Sequence, residues 1–163
     1  MSSKQTPVRT ISRLVRQALQ RGRHFKPQVP PLILPVTDSV LVVDLEATCW
    51  EKEPPPSGEQ YEIIEVGWAL LDVPSNHLTR AGTILVKPVK SRVSAFCTRL
   101  TTITQEMVDE QGITLKETFE FLVKELDSKK ISWASYGEYD KKMVRKQCGL
   151  FGLDYPLEAC TRT

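Results

Sequence analysis

The pattern best suited to chemistry in the 163-residue chain is Asp44-Leu45-Glu46, which closes the apolar run Val40-Leu41-Val42-Val43. In an extended strand, residues i and i+2 point to the same face, so this spacing stands two carboxylates side by side where the strand leaves its sheet. Like charges held that close repel, and burying them is costly unless a cation compensates. Hard oxygen donors of this kind suit Mg²⁺ or Mn²⁺. Small Ala47 and Thr48 follow, leaving room for a ligand to approach the backbone, and Trp50 stands at the rim. A third acid, Asp140, follows Ser135-Tyr136-Gly137 at the start of a helix, where it also suits the helix dipole. Taken singly, Asp44 and Glu46 equally fit a solvated strand end, and Asp140 an ordinary helix-start residue.

Hydrophobic periodicity shows which elements must position these acids. The continuous apolar run Val40 to Val43 predicts a strand buried on both faces of a sheet. Residues 51–60, with three consecutive prolines and a glycine, form a surface loop. Strands are predicted over Ile63 to Val73 and Thr83 to Val86, separated by the turn signal Pro74-Ser75-Asn76, which makes a three-stranded meander. Helices are predicted over Ser94 to Gly112 and Thr114 to Leu126. The second has Leu115, Phe119, Leu122, Val123 and Leu126 on one face and a capping box of Thr114 with Glu117. A short strand at Ile131 to Ser135 and a helix from Tyr139 to Gln147, stopped near Gly149, complete the pattern. The order β-β-β-α-α-β-α predicts an α/β fold, a mixed sheet with an antiparallel first half and flanking helices.

The length, with 40% hydrophobic and 26% charged residues, fits one globular domain. No apolar run approaches the roughly 20 residues of a membrane span, and the start lacks a signal peptide's apolar stretch, so a cytoplasmic protein without a membrane association is expected. The four cysteines at 49, 97, 148 and 160 form no C-x-x-C pair and are expected as reduced thiols. Net charge is +2 but unevenly spread: residues 1–37 hold seven Lys and Arg and no acid, leaving fifteen basic against twenty acidic residues, net −5, in the remainder. Within the arm, Ile11, Leu14, Val15, Ala18 and Leu19 recur at helical spacing, and Pro27, Pro30, Pro31 and Pro35 mark a linker. The chain thus divides into a basic arm and linker, 1–37, and a domain, 38–163. A polyanion-binding arm, a solvated terminus and an organellar targeting peptide all fit the first segment.

Four ordered segments carry a family resemblance: LVVDLEATCW, YEIIEVGWALLD, FCTRLTTIT and WASYGEYDKK. Over about residues 40–155 the chain resembles the DEDD superfamily of 3′-to-5′ exonucleases, in the DEDDh group that includes the histone-mRNA 3′ exonuclease and its bacterial relatives. The resemblance implies an RNase H-like fold and hydrolysis of single-stranded RNA or DNA from the 3′ end by a two-metal mechanism, releasing nucleoside 5′-monophosphates. RNA is the expected substrate by analogy with the group. It further implies that Asp44, Glu46 and Asp140 are catalytic and bind two Mg²⁺ or Mn²⁺ ions. Glu46, Ala47 and Thr48 would then contact the terminal nucleotide, and Trp50 and Phe96 would stack on bases. For the two aromatic residues, core packing is an equally open reading.

The chain departs from the family in its third motif, a histidine followed five residues later by an aspartate. The histidines here are His24 and His77, with Val29 and Gly82 five places on. Tyr136 and Asp140 have the spacing of the tyrosine-type sister group, but that motif needs both residues on one helix, and Gly137 follows a strand. The expectation is therefore an exonuclease domain incomplete at its C-terminus, on the order of 50 to 60 residues short of a full member. Such a chain would be weakly active or inactive. The alternative is a non-catalytic nucleic-acid-binding or regulatory module that keeps the fold. The oligomeric state stays open between a monomer and an assembly whose second subunit completes the site.

Overall fold

The computed structural model describes residues 38–157; the expected helix at residues 11–19, the proline linker and residues 158–163 lie outside that range. Its centre is a four-stranded sheet in the order β3-β2-β1-β4. Strand β1 spans Ser39–Ala47, β2 Ile63–Asp72, β3 His77–Leu85 and β4 Ser132–Ala134. The first three strands are antiparallel, and β4 joins parallel to β1 through Val40↔Ser132, Leu41↔Trp133 and Val42↔Ala134. Parallel pairing requires a long crossover. Helices α1 (Ala95–Thr101), α2 (Gln105–Gln111) and α3 (Leu115–Glu125) supply it, and α4 (Tyr139–Phe151) follows β4.

Alternation along β1 sets the layers. Leu41, Val43, Leu45 and Ala47 enter a core with Phe119 and Leu122 of α3 and Met143, Val144 and Cys148 of α4. Each of the Leu, Val, Phe and Met side chains contributes roughly 1.5–3 kcal/mol by leaving water. The opposite face carries Val42, Asp44 and Glu46, all half-buried. The strand is therefore not sealed on both faces as its unbroken apolar run predicts; the apolar side chains reach into one core, and the face they leave is where the acids emerge. A smaller core of Ile64, Cys97, Ile103 and Val108 ties α1 and α2 to the sheet.

Three boundaries differ from expectation. The segment from Ser94 to Gly112 is two helices, not one. Thr102 takes the left-handed conformation (φ 68°) that ends α1, and the Thr104 side chain accepts from the Met107 N–H to start α2. The break lets Ile103 reach the small core, where it is buried. Strand β3 begins at His77 rather than Thr83, because an exposed edge strand needs no apolar pattern to pair with β2. Helix α4 runs through Gly149 and stops at Gly152, whose φ of 63° suits glycine and whose N–H bonds the Cys148 carbonyl. The capping box of α3 is present in both directions between Thr114 and Glu117. Cys49, Cys97 and Cys148 are free thiols. Among the described residues no helix is long and apolar enough to cross a membrane.

Candidate active site

Strand pairing fixes the neighbours of the two acids of β1. Glu46 lies opposite Glu65 of β2 and Asp44 opposite Gly67, and directly opposed residues share a face. Three carboxylates therefore stand on one patch of sheet. Asp140 reaches the same patch from the first turn of α4, with its carboxylate on the backbone of Leu45, the residue between Asp44 and Glu46. That contact is available because β4 ends at Ala134, its last pairing being with Val42, and leaves the next stretch of β1 uncovered on that side.

Mutual repulsion shows in the acidities. Burial first, then the charges of Asp44, Glu65 and Asp140, pushes the Glu46 carboxyl up to about 7. Burial and then Asp44 push Asp140 up to about 6, while the Leu45 backbone and the Ser135 side chain pull the other way. Glu65 is also raised, mainly by burial, against a hydrogen bond from the Thr83 hydroxyl at 2.6 Å. Among the described residues no three His, Cys, Asp or Glu side chains already form an ion cage. The donor set still fits a hard divalent cation: oxygen ligands on one patch, carrying negative charge that, among the described residues, no basic side chain offsets by an ion pair.

A hydrogen-bonded frame holds the chain beyond the acids. The Thr48 N–H donates to the Glu62 carbonyl at 2.8 Å, and the Thr48 hydroxyl donates to the Gln60 carbonyl at 3.0 Å and accepts from the Glu62 N–H at 2.9 Å. Thr48 is fully buried, so its side chain belongs to this frame. Glu62 is 2% exposed and accepts the N–H groups of Val89, Lys90 and Ser91 at 2.9, 2.9 and 2.7 Å. The Ser94 hydroxyl donates to the Cys49 carbonyl at 2.6 Å and also caps α1, while the Cys97 thiol donates to the Ala47 carbonyl at 3.4 Å. Helix α1 is thereby fastened to the exit of β1, carrying half-buried Phe96 with the Arg99 guanidinium 5.5 Å over its ring. Trp50 is half-buried and meets Tyr61.

The residues missed from the sequence are Glu62 and Glu65. Glu62 stands just before β2 and Glu65 inside its apolar run, a signal visible in Tyr61-Glu62-Ile63-Ile64-Glu65, but only the register reveals that Glu65 faces Glu46, and only the packing that Glu62 faces a loop. The unused histidine, His77, pairs with Asp72 at the far end of the β2–β3 hairpin from Glu65.

Residues 41–148 match the RNase_T exonuclease family. The chain belongs to that exonuclease family. This exonuclease chain is 35% identical to human 3′-5′ exoribonuclease 1 over 126 residues, 73% of its own length and 36% of the relative's. It is 41% identical over 78 residues to the 3′-5′ exonuclease Snipper of Drosophila melanogaster, covering 47% of this chain and 27% of that one. The solved nuclease domain of 3′hExo, a DEDDh family member bound to rAMP, superposes with a TM-score of 0.61 at 35% identity, covering 73% of this chain and 62% of that one. A full-length 3′-exonuclease superposes at 0.64 and 29% identity, covering 72% and 55%. The fold is the RNase H-like exonuclease fold, and the domain is of the DEDDh 3′-5′ type. The exonuclease chain spans about a third of the length of these curated relatives and little more than half that of the solved chains.

Proposed function

We propose that this exonuclease domain removes nucleotides from the 3′ end of single-stranded RNA, releasing nucleoside 5′-monophosphates, at Asp44, Glu46 and Asp140. The observation that carries the reading is the Asp140 carboxylate seated on the backbone between the two acids of β1, within range of their charge. RNA over DNA is supported by relatives named exoribonucleases and by a solved 3′-exonuclease described as recognising the histone mRNA stem-loop.

Asp44, Glu46 and Asp140 would hold two Mg²⁺ or Mn²⁺ ions. When bound, these ions supply Lewis acidity at the scissile phosphate and charge compensation for the attacking and leaving oxygens. The protein's own part is binding and orientation: the Ala47 backbone would meet the terminal nucleotide beside the acids, and half-buried Trp50 and Phe96 would offer their rings to bases. These 163 residues hold no histidine five residues before an aspartate, so they do not by themselves supply the family's base to the attacking water.

Single-stranded RNA incubated with the chain and Mg²⁺ or Mn²⁺ tests this. Metal-dependent binding is expected, with 3′-to-5′ turnover reduced about 10²- to 10⁴-fold relative to a member that keeps its base. Asp44→Ala should abolish both. A non-catalytic binding module, which the basic residues 1–37 favour, predicts the opposite: RNA held equally well in EDTA, with a steep salt dependence and no response to Asp44→Ala.

A further inference from the structure

Past the acids, the loop leaving β1 brings Trp50 against Tyr61, with ring centroids 5.6 Å apart and planes at 69°. A T-shaped contact covers at most one face of either ring, so half-exposed Trp50 keeps an indole face for a planar ligand. Tyr61 is fixed from three directions. Its hydroxyl donates to Glu53 Oε1 at 2.9 Å, its carbonyl accepts from Gln147 Nε2 at 2.8 Å, and the Lys146 ammonium lies 5.4 Å over its ring. Among the described residues Lys146 has no carboxylate within ion-pair distance, so its charge is available.

Lys146 and Gln147 stand on α4, the helix whose first turn carries Asp140. Six residues of helix put Lys146 about 9 Å along the axis from Asp140. Trp50, four residues past Glu46, and Lys146, on the helix of Asp140, thus meet on Tyr61 from the two elements that carry the acids.

We propose that Trp50, Tyr61 and Lys146 form a subsite for the nucleotide preceding the 3′-terminal one, with the indole stacked on its base and the Lys146 ammonium paired with its phosphate. Tyr61 is the positioning residue that holds the other two. The proposal deepens the exonuclease reading and rests on it.

The test titrates AMP and the 5′-phosphorylated dinucleotide pApA into the full chain, with Ca²⁺ in place of Mg²⁺ to suppress turnover. Trp50→Ala should weaken pApA about 5- to 150-fold while leaving AMP within about twofold, and Trp50→Phe should restore most of the loss. Lys146→Ala should weaken pApA alone and reduce the slope of log K against log salt by about 0.7. Equal weakening of AMP and pApA, or no change in either, overturns the subsite while the exonuclease reading stands. Failure of the native chain to bind either ligand brings down both.

Discussion

Glu46→Gln offers the sharpest test of the carboxylate patch, because it predicts a stabilised protein from loss of a charge proposed to be catalytic. In the folded chain, burial and three neighbouring acids move this carboxyl from about 4.5 to about 7. At 1.36 kcal/mol per unit, the shift corresponds at its limit to about 3 kcal/mol of destabilisation. The side chain is only half-buried, so solvent screening reduces this to about 1–2 kcal/mol. Between pH 4.5 and 7 the folded state retains a proton that the unfolded chain has released, so stability falls as pH rises through that window. The neutral amide has no such penalty. In EDTA, Glu46→Gln should match the parent at pH 4 and exceed it by about 1–2 kcal/mol at pH 8. For a domain of this size that raises Tm by about 3 to 8 °C, readable by calorimetry. Mg²⁺ should raise the Tm of the parent at pH 8 and raise that of the variant far less. No gain at pH 8, or the same gain at pH 4, would refute the reasoning that Glu46 is held in a crowded acidic patch.

Three further outcomes are expected. Because Glu46 and Asp140 must shed protons to bind a cation, Mg²⁺-dependent RNA binding should strengthen from pH 6 to pH 8, measured by anisotropy at constant salt. Glu62→Ala leaves three N–H groups of the 89–91 loop without their buried acceptor and should cost about 3 kcal/mol or more, with faster amide exchange confined first to that loop. Thr114→Ala removes the capping box of α3 and should cost about 1 kcal/mol in urea denaturation, with no change in RNA affinity.

Much of the site was legible because its signals are local. The Asp44-Leu45-Glu46 spacing places both acids on one face of any strand, whatever that strand pairs with, and Asp140 sits at a helix start that Gly137 and the following periodicity announce. The capping box is equally local, since its partners lie three residues apart. Boundaries set by long-range partners were not legible: β3 extends to His77 through backbone pairing alone, and Thr102 breaks a helix so that Ile103 can fill a core assembled from β2 and two helices.

The sequence by itself thus determined the donor chemistry, the order of elements apart from the break at Thr102, and the face that each acid must share with its near neighbours, because these follow from residue type and backbone period. Only the tertiary structure decided which distant residues meet. Register and packing, not composition, brought Glu65 against Glu46, turned Glu62 toward a loop, sealed Thr48 into the frame and set Tyr61 between Trp50 and Lys146. A shift of one residue along β2 would turn Glu65 to the opposite face, so its placement belongs to the sum of contacts across the whole sheet rather than to any local pattern.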